Sequence, residues 1–170
     1  PLPDLLDPWR AVDSRSVLSG RLPLSSLPRL RALLLDTAGD VSFRLAFQRD
    51  EEHRAVLHFE VAATLRLRCQ RCLEALEYVV ANDVALAPVS GIEEERQLPA
   101  RYDPLPVSER LIRPRDLIED ELMLGLPQIP MHDPDACEAA APAPESGEPQ
   151  LQSAGGNPLR DKKRKGEMKK

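Results

Sequence analysis

Two short stretches concentrate the residues that can do chemistry. Cys69-Gln70-Arg71-Cys72 holds two thiols with two residues between them, and His132-Asp133-Pro134-Asp135-Ala136-Cys137 holds an imidazole and a thiol with four between them. Together they use all 3 cysteines of the chain. Such a pair can close a disulfide, run redox chemistry or hold a metal. A thioredoxin-like redox pair needs a helix N-terminus inside a βαβ unit, which lowers the thiol pKa. Here a long strand-like run precedes the pair and another follows it, so that topology is missing. A metal site needs two close ligand pairs on tight irregular segments, which is what the two stretches offer. Three thiolates and one imidazole would fill a tetrahedral Zn2+ and leave no open position, so the site would be structural rather than catalytic. In the competing reading, Cys69 and Cys72 pack as small hydrophobes and Cys137 is a thiol in an unstructured tail. Spacing alone leaves both open.

Other polar clusters are weaker signals. Glu119, Asp120 and Glu121 can in principle bind Mg2+ for a nuclease; their ordinary reading is an exposed acidic first turn favoured by the helix dipole. His53 and His58 fall on a turn and a strand face and are not expected to be ligands. The chain has no Gly-rich phosphate loop, no Gly-x-Ser-x-Gly elbow and no His-Glu-x-x-His, so no enzyme is expected. Candidate nucleic-acid contacts are Arg66 and Arg68, two apart on one strand face, Arg71 between the cysteines, and Lys162, Lys163, Arg164 and Lys165 near the end. The net charge is -5. Residues 160–170 carry seven bases and two acids, so the rest of the chain is strongly acidic, which argues against a broad phosphate-tracking face. Aromatics are 4% of residues, and Phe43, Phe47 and Phe59 read as core, so recognition of single strands by stacking is poorly served.

The elements that must position these residues follow from periodicity. "SGRLPL" reads as a short strand, followed by a helix capped by Ser25 or Ser26 with Pro28 in its first turn. Leu27, Leu30, Leu33 and Leu34 share one helical face. Val41, Phe43, Leu45 and Phe47 alternate with polar neighbours, as on a half-buried strand. "DEEH" at 50–53 is a hairpin turn. The returning strand puts Leu57, Phe59, Val61, Ala63, Leu65, Leu67 and Cys69 on one side. "LEYVVANDVALAPV" is a further strand, so the cysteine pair lies on the connection between two strands of an antiparallel meander with one wet face. Residues 91–110 are polar and proline-broken and read as a surface loop. "DLIEDELMLGLP" is a helix with Asp116 as cap, Glu119 three residues on as in a capping box, and Pro127 ending it.

The expected fold is α+β: an antiparallel sheet, curling toward a barrel, with helices on one side, over residues 1–137. Residues 138–170, rich in Ala, Pro, Gly and Ser before the basic end, read as a disordered linker and tail. No run of about 18 apolar residues exists to span a membrane. The opening "PLPDLLDPWR" lacks a basic-then-apolar pattern, so no secretory signal is expected, and 3 cysteines do not suggest a secreted disulfide scaffold. A cytoplasmic protein is expected.

The stretches "LSGRLPLSSLPRL", "LRLRCQRCLEAL", "DLIEDELMLGLPQIPMHDPDAC" and "NPLRDKKRK" resemble the YceD family of large ribosomal RNA subunit accumulation proteins, over nearly the whole chain. Where that family reads Asn-Pro-Phe-Ala, this chain has Asn157, Pro158, Leu159 and Arg160. Cys69, Cys72, His132 and Cys137 match family positions, which favours the metal reading. The resemblance implies a role in synthesis, processing or stability of 23S rRNA and no known catalytic activity. The expected partners are 23S rRNA or its precursor and a large-subunit ribosomal protein, with no membrane and no small-molecule substrate. A metal-dependent ribonuclease built on Glu119, Asp120 and Glu121 is the alternative.

Overall fold

Alternation in the sequence becomes a five-stranded sheet. The computed structural model of the protein describes residues 2–137. The linker and basic tail expected over 138–170, with Lys162, Lys163, Arg164 and Lys165, lie outside the described residues. Strands β1 (Val17–Pro23), β2 (Asp40–Arg49), β3 (Ala55–Arg68), β4 (Ala75–Val89) and β5 (Asp103–Pro106) lie side by side in chain order. The first four form an antiparallel meander, with Leu45 opposite Phe59 and Phe59 opposite Val84.

The inward residues read from the sequence are the ones buried. Val41, Phe43, Leu45 and Phe47 of β2 and Leu57, Phe59, Val61, Ala63, Leu65 and Leu67 of β3 form the sheet's share of the core. The other share comes from α1 (Pro8–Asp13), α2 (Pro28–Arg31) and α4 (Pro114–Leu124), through Ala11, Val12, Leu30, Ile118 and Leu122. A short helical turn, α3 (Ile92–Arg96), follows β4 and buries nothing. Among the described residues the helices that enter the core lie on one face of the sheet. Arg44, Glu60, Thr64, Arg66 and Arg68 stand exposed on the other. That is the expected α+β arrangement.

The structure differs in its details. The sheet is mixed, because β5 pairs parallel to β4, with Leu86 beside Asp103 and Pro88 beside Leu105. It stays open, with β1 and β5 as its edges, and does not curl into a barrel. The segment read as surface loop thus supplies a strand. Pro104 and Pro106 hid it, since proline reads as a strand breaker, yet an edge strand tolerates it on the side that donates no ladder bond. The helix α1 carries no periodic signal long enough to read from the sequence. Asp7 caps it, its carboxylate accepting from the amides of Trp9 (3.0 Å) and Arg10 (3.1 Å), and Pro8 occupies its first position.

The two expected helix starts are also built differently. Neither Ser25 nor Ser26 caps α2; Leu27 is the N-cap and has no side chain to offer, while the Ser26 hydroxyl donates to the Pro23 carbonyl at 2.7 Å. One turn later the helix ends, so Leu27 and Leu30 are buried and Leu33 is exposed. Asp116 does not cap α4, which starts at Pro114 after Arg113, and Glu119 does not close a capping box. Glu119 lies further into the helix, buried at 2% exposure rather than on an exposed first turn. Its carboxylate accepts the backbone amides of Arg29 (2.6 Å) and Leu30 (2.9 Å) and pairs with the Arg29 guanidinium at 3.0 Å. The N-terminus of α2, lacking a cap of its own, is capped by a residue from α4.

Candidate metal centre

The two halves of the Cys/His pattern meet. Cys69 directly follows β3 and continues its inward row, where it is completely buried. After it the chain folds into a tight knuckle. The Cys69 amide donates to Glu74 O at 2.9 Å and the Leu73 amide to Cys69 O at 3.0 Å. Leu73 takes φ 66, the left-handed turn that lets Cys72 face back toward Cys69. The second half arrives after α4. Pro130 O accepts the Gln70 amide at 2.8 Å, which seats the segment 130–137 alongside the knuckle. A 3-10 turn at Pro134–Ala136 then delivers Cys137.

The ligand atoms of Cys69, Cys72, His132 and Cys137 all lie within 4.8 Å of one another. The Sγ atoms of Cys69 and Cys137 are 3.9 Å apart, and Cys72 Sγ is 3.3 Å from His132 Nδ1. Zn–S bonds of about 2.3 Å and Zn–N bonds of about 2.0 Å at tetrahedral angles put sulfurs about 3.8 Å apart and sulfur and nitrogen about 3.5 Å apart. The donor set therefore fits a tetrahedral thiophilic ion. Among the described residues this is the one group of three or more Cys, His, Asp or Glu side chains arranged to hold a metal.

The surroundings prepare the donors. His132 Nε2 sits 3.1 Å from the Ala75 carbonyl, to which an Nε2–H donates, leaving the Nδ1 lone pair for a metal. Nothing in the sequence pointed to Ala75, because the contact is made by its backbone. The Arg71 amide donates to Cys69 Sγ at 3.4 Å. The Cys72 backbone amide leads the donors that hold the Cys69 thiol down to about 5, against the opposing effect of burial. Burial leads in pushing the Cys137 thiol up to about 11, and the neighbouring Cys72 and Cys69 add to it. Hydrogen bonding and burial thus push these two thiols in opposite directions.

The other candidate residues scatter. Glu119 caps α2 and pairs with Arg29, Asp120 pairs with the same Arg29 at 2.6 Å, and Glu121 accepts from Asn82 Nδ2 at 2.9 Å, so each of the three acids is taken up by a protein partner. Arg66 is half-exposed and ion-paired to Asp36. Arg68 is exposed and makes no ion pair among the described residues; Arg71 is exposed, its guanidinium 3.9 Å from Met131 Sδ. His53 sits in the β2–β3 hairpin turn at φ 65 and His58 on the open sheet face, away from the cluster.

Fold and site together define an α+β protein in which a Cys3His cluster joins the segment after α4 to the central sheet. The chain belongs to the YceD family. Residues 57–165 match the family model described as large ribosomal RNA subunit accumulation protein YceD. The protein of that name from Haemophilus influenzae is 31% identical over 143 residues, which cover 82% of this chain and 81% of the relative. No solved structure matches the chain. No helix among the described residues is long and apolar enough to cross a membrane.

Proposed function

We propose that the chain is a non-enzymatic factor in large-subunit ribosome biogenesis, supporting the synthesis, processing or stability of 23S rRNA in the cytoplasm. It acts by contact with that RNA or its precursor, with a large-subunit ribosomal protein, or with both. The observation that carries this reading is the family match, together with a relative named for large ribosomal RNA subunit accumulation that aligns over four-fifths of both chains. The pairing of Glu119 and Asp120 with Arg29 and the bond from Asn82 to Glu121 support a structural role for these acids over a Mg2+ site.

In this reading Cys69, Cys72, His132 and Cys137 hold a structural Zn2+. The ion supplies a cross-link between the β3–β4 connection and the segment after α4, worth folding energy because a preformed site is absent from the unfolded chain. The knuckle keeps Arg68 and Arg71 exposed beside the cluster. Arg66, Arg68 and Arg71, with Lys162, Lys163, Arg164 and Lys165, supply phosphate contacts, and the acidic body suits a basic protein partner. The test is affinity capture of the full chain from cells, with and without ribonuclease, read for rRNA and for ribosomal proteins. Capture of 23S rRNA or of large-subunit proteins is expected. Enrichment of neither rejects the proposal.

A further inference from the structure

Away from the metal cluster, a second site takes shape around the 1 tryptophan of the chain. Trp9 lies in α1, and the guanidinium of Arg110 sits over its ring, 5.7 Å from the centroid. Asp7, the cap of α1, holds Arg110 from the side, 3.8 Å from its Nη2. Arg110 is nevertheless 75% exposed, so the plane facing away from Trp9 is open to water. The loop is bent to achieve this. Glu109 and Arg110 are consecutive non-glycine residues in the left-handed region, at φ 55 and 63, and such outliers collect where the surrounding structure holds a side chain for a purpose. The bridge between Leu6 and Ile112 ties the loop to the start of α1.

Two more features adjoin it. Arg113, just before α4, is exposed and makes no ion pair among the described residues. Beside the loop runs an open cleft of about 400 Å3, with Leu5, Leu111 and Leu117 in its lining and Arg113 and Asp116 also part of it. A flat cationic plane backed by an indole, with an apolar cleft and the unpaired Arg113 beside it, matches the requirements of unstacked bases joined by phosphates. Glu109 and Asp116 at the same end exclude a long phosphate track and confine the site to a few nucleotides.

We propose that Trp9, Arg110 and Arg113 form a binding site for a short single-stranded segment of RNA, one base stacking on Arg110. This rests on the reading that the chain contacts RNA directly, and it supplies the stacking surface that the core phenylalanines do not.

The experiment titrates full-length protein with a fluorescein-labelled single-stranded RNA of mixed sequence. Anisotropy reports binding, and the emission of Trp9, the sole tryptophan, reports the site. Expected are a saturable change in Trp9 emission with the same midpoint as the anisotropy and a roughly tenfold weaker midpoint in Arg110→Ala. Arg113→Gln should reduce the slope of log affinity against log salt by about 0.7, the value for one phosphate on a single strand. Circular dichroism checks that both variants fold. If wild type binds while Trp9 emission stays constant and these variants bind equally well, the site is refuted and RNA contact stands. The site is refuted in the same way if only Arg68→Gln with Arg71→Gln weakens binding. If wild type binds no RNA, the site and direct RNA contact fall together.

Discussion

Replacing Glu119 separates the structural account of α4 from the nuclease alternative. The carboxylate is 3% exposed as a side chain and accepts three bonds, two from backbone amides of α2 and one from Arg29 Nε. Leu30 is fully buried, so its amide finds no water once the carboxylate is gone. Glu119→Ala should leave two amides unsatisfied at about 1–3 kcal/mol each, the Arg29 one toward the lower end because that residue is half-exposed. The expected loss is about 3–5 kcal/mol. Glu119→Gln keeps one carbonyl acceptor but turns an amide NH2 toward Arg29 or the helix amides, and should cost about 1.5–3 kcal/mol. Asp120→Asn removes a half-exposed pair and should cost under about 1 kcal/mol. Urea unfolding followed by circular dichroism gives all three values. Glu119→Gln as stable as wild type would refute this reasoning. A wild type that cleaves rRNA precursor with Mg2+, joined to an inactive but fully stable Glu119→Gln, would restore the nuclease.

Further outcomes follow from the same geometry. Cys72→Ser should purify without the roughly one Zn2+ per chain expected of wild type, measured by elemental analysis, and should melt on the order of 10 °C lower. Zinc titrated into chelator-treated protein at pH 8 should release at least one proton, because the Cys137 thiol is held up to about 11, and calorimetry in buffers of different ionisation enthalpy counts it. In metal-free protein the Cys69 thiolate should contribute stability that is complete above 9.0, the ordinary thiol value, and is lost as pH falls through about 5. The raised Cys137 thiol should contribute stability that is complete below 9.0 and lost as pH rises through about 11; Cys137→Ser should flatten that alkaline limb in urea midpoints. Gly125→Ala would place a Cβ 2.5 Å from Val80 Cγ1 and 3.2 Å from Asn82 Nδ2, pushing α4 off β4, and should cost about 1–3 kcal/mol in urea unfolding.

What could be read from the sequence was what local period and ligand chemistry encode. The alternation in β2 and β3 survives because each strand buries one face, so Val41 to Phe47 and Leu57 to Leu67 carry their own signal. The two Cys/His pairs were legible as a candidate site because each sets its donors at metal-ligand spacing, although spacing alone left the packing reading open. Features set by distant partners were not. Glu119 three residues after Asp116 imitates a capping box, whereas the amides it serves belong to Arg29 and Leu30. β5 is a strand only because β4 leaves an edge for it. The contact that orients His132 is a carbonyl, and carbonyls carry no residue type.

The central claim is that this chain supports accumulation of large-subunit rRNA on a fold clamped by its Cys3His cluster. Its most direct test is the steady-state ratio of 23S to 16S rRNA in a strain deleted for the gene and complemented at equal protein levels. The account predicts a lowered ratio in the deletion, recovery with wild type and little recovery with Cys72→Ser. A deletion strain with an unchanged ratio would contradict it.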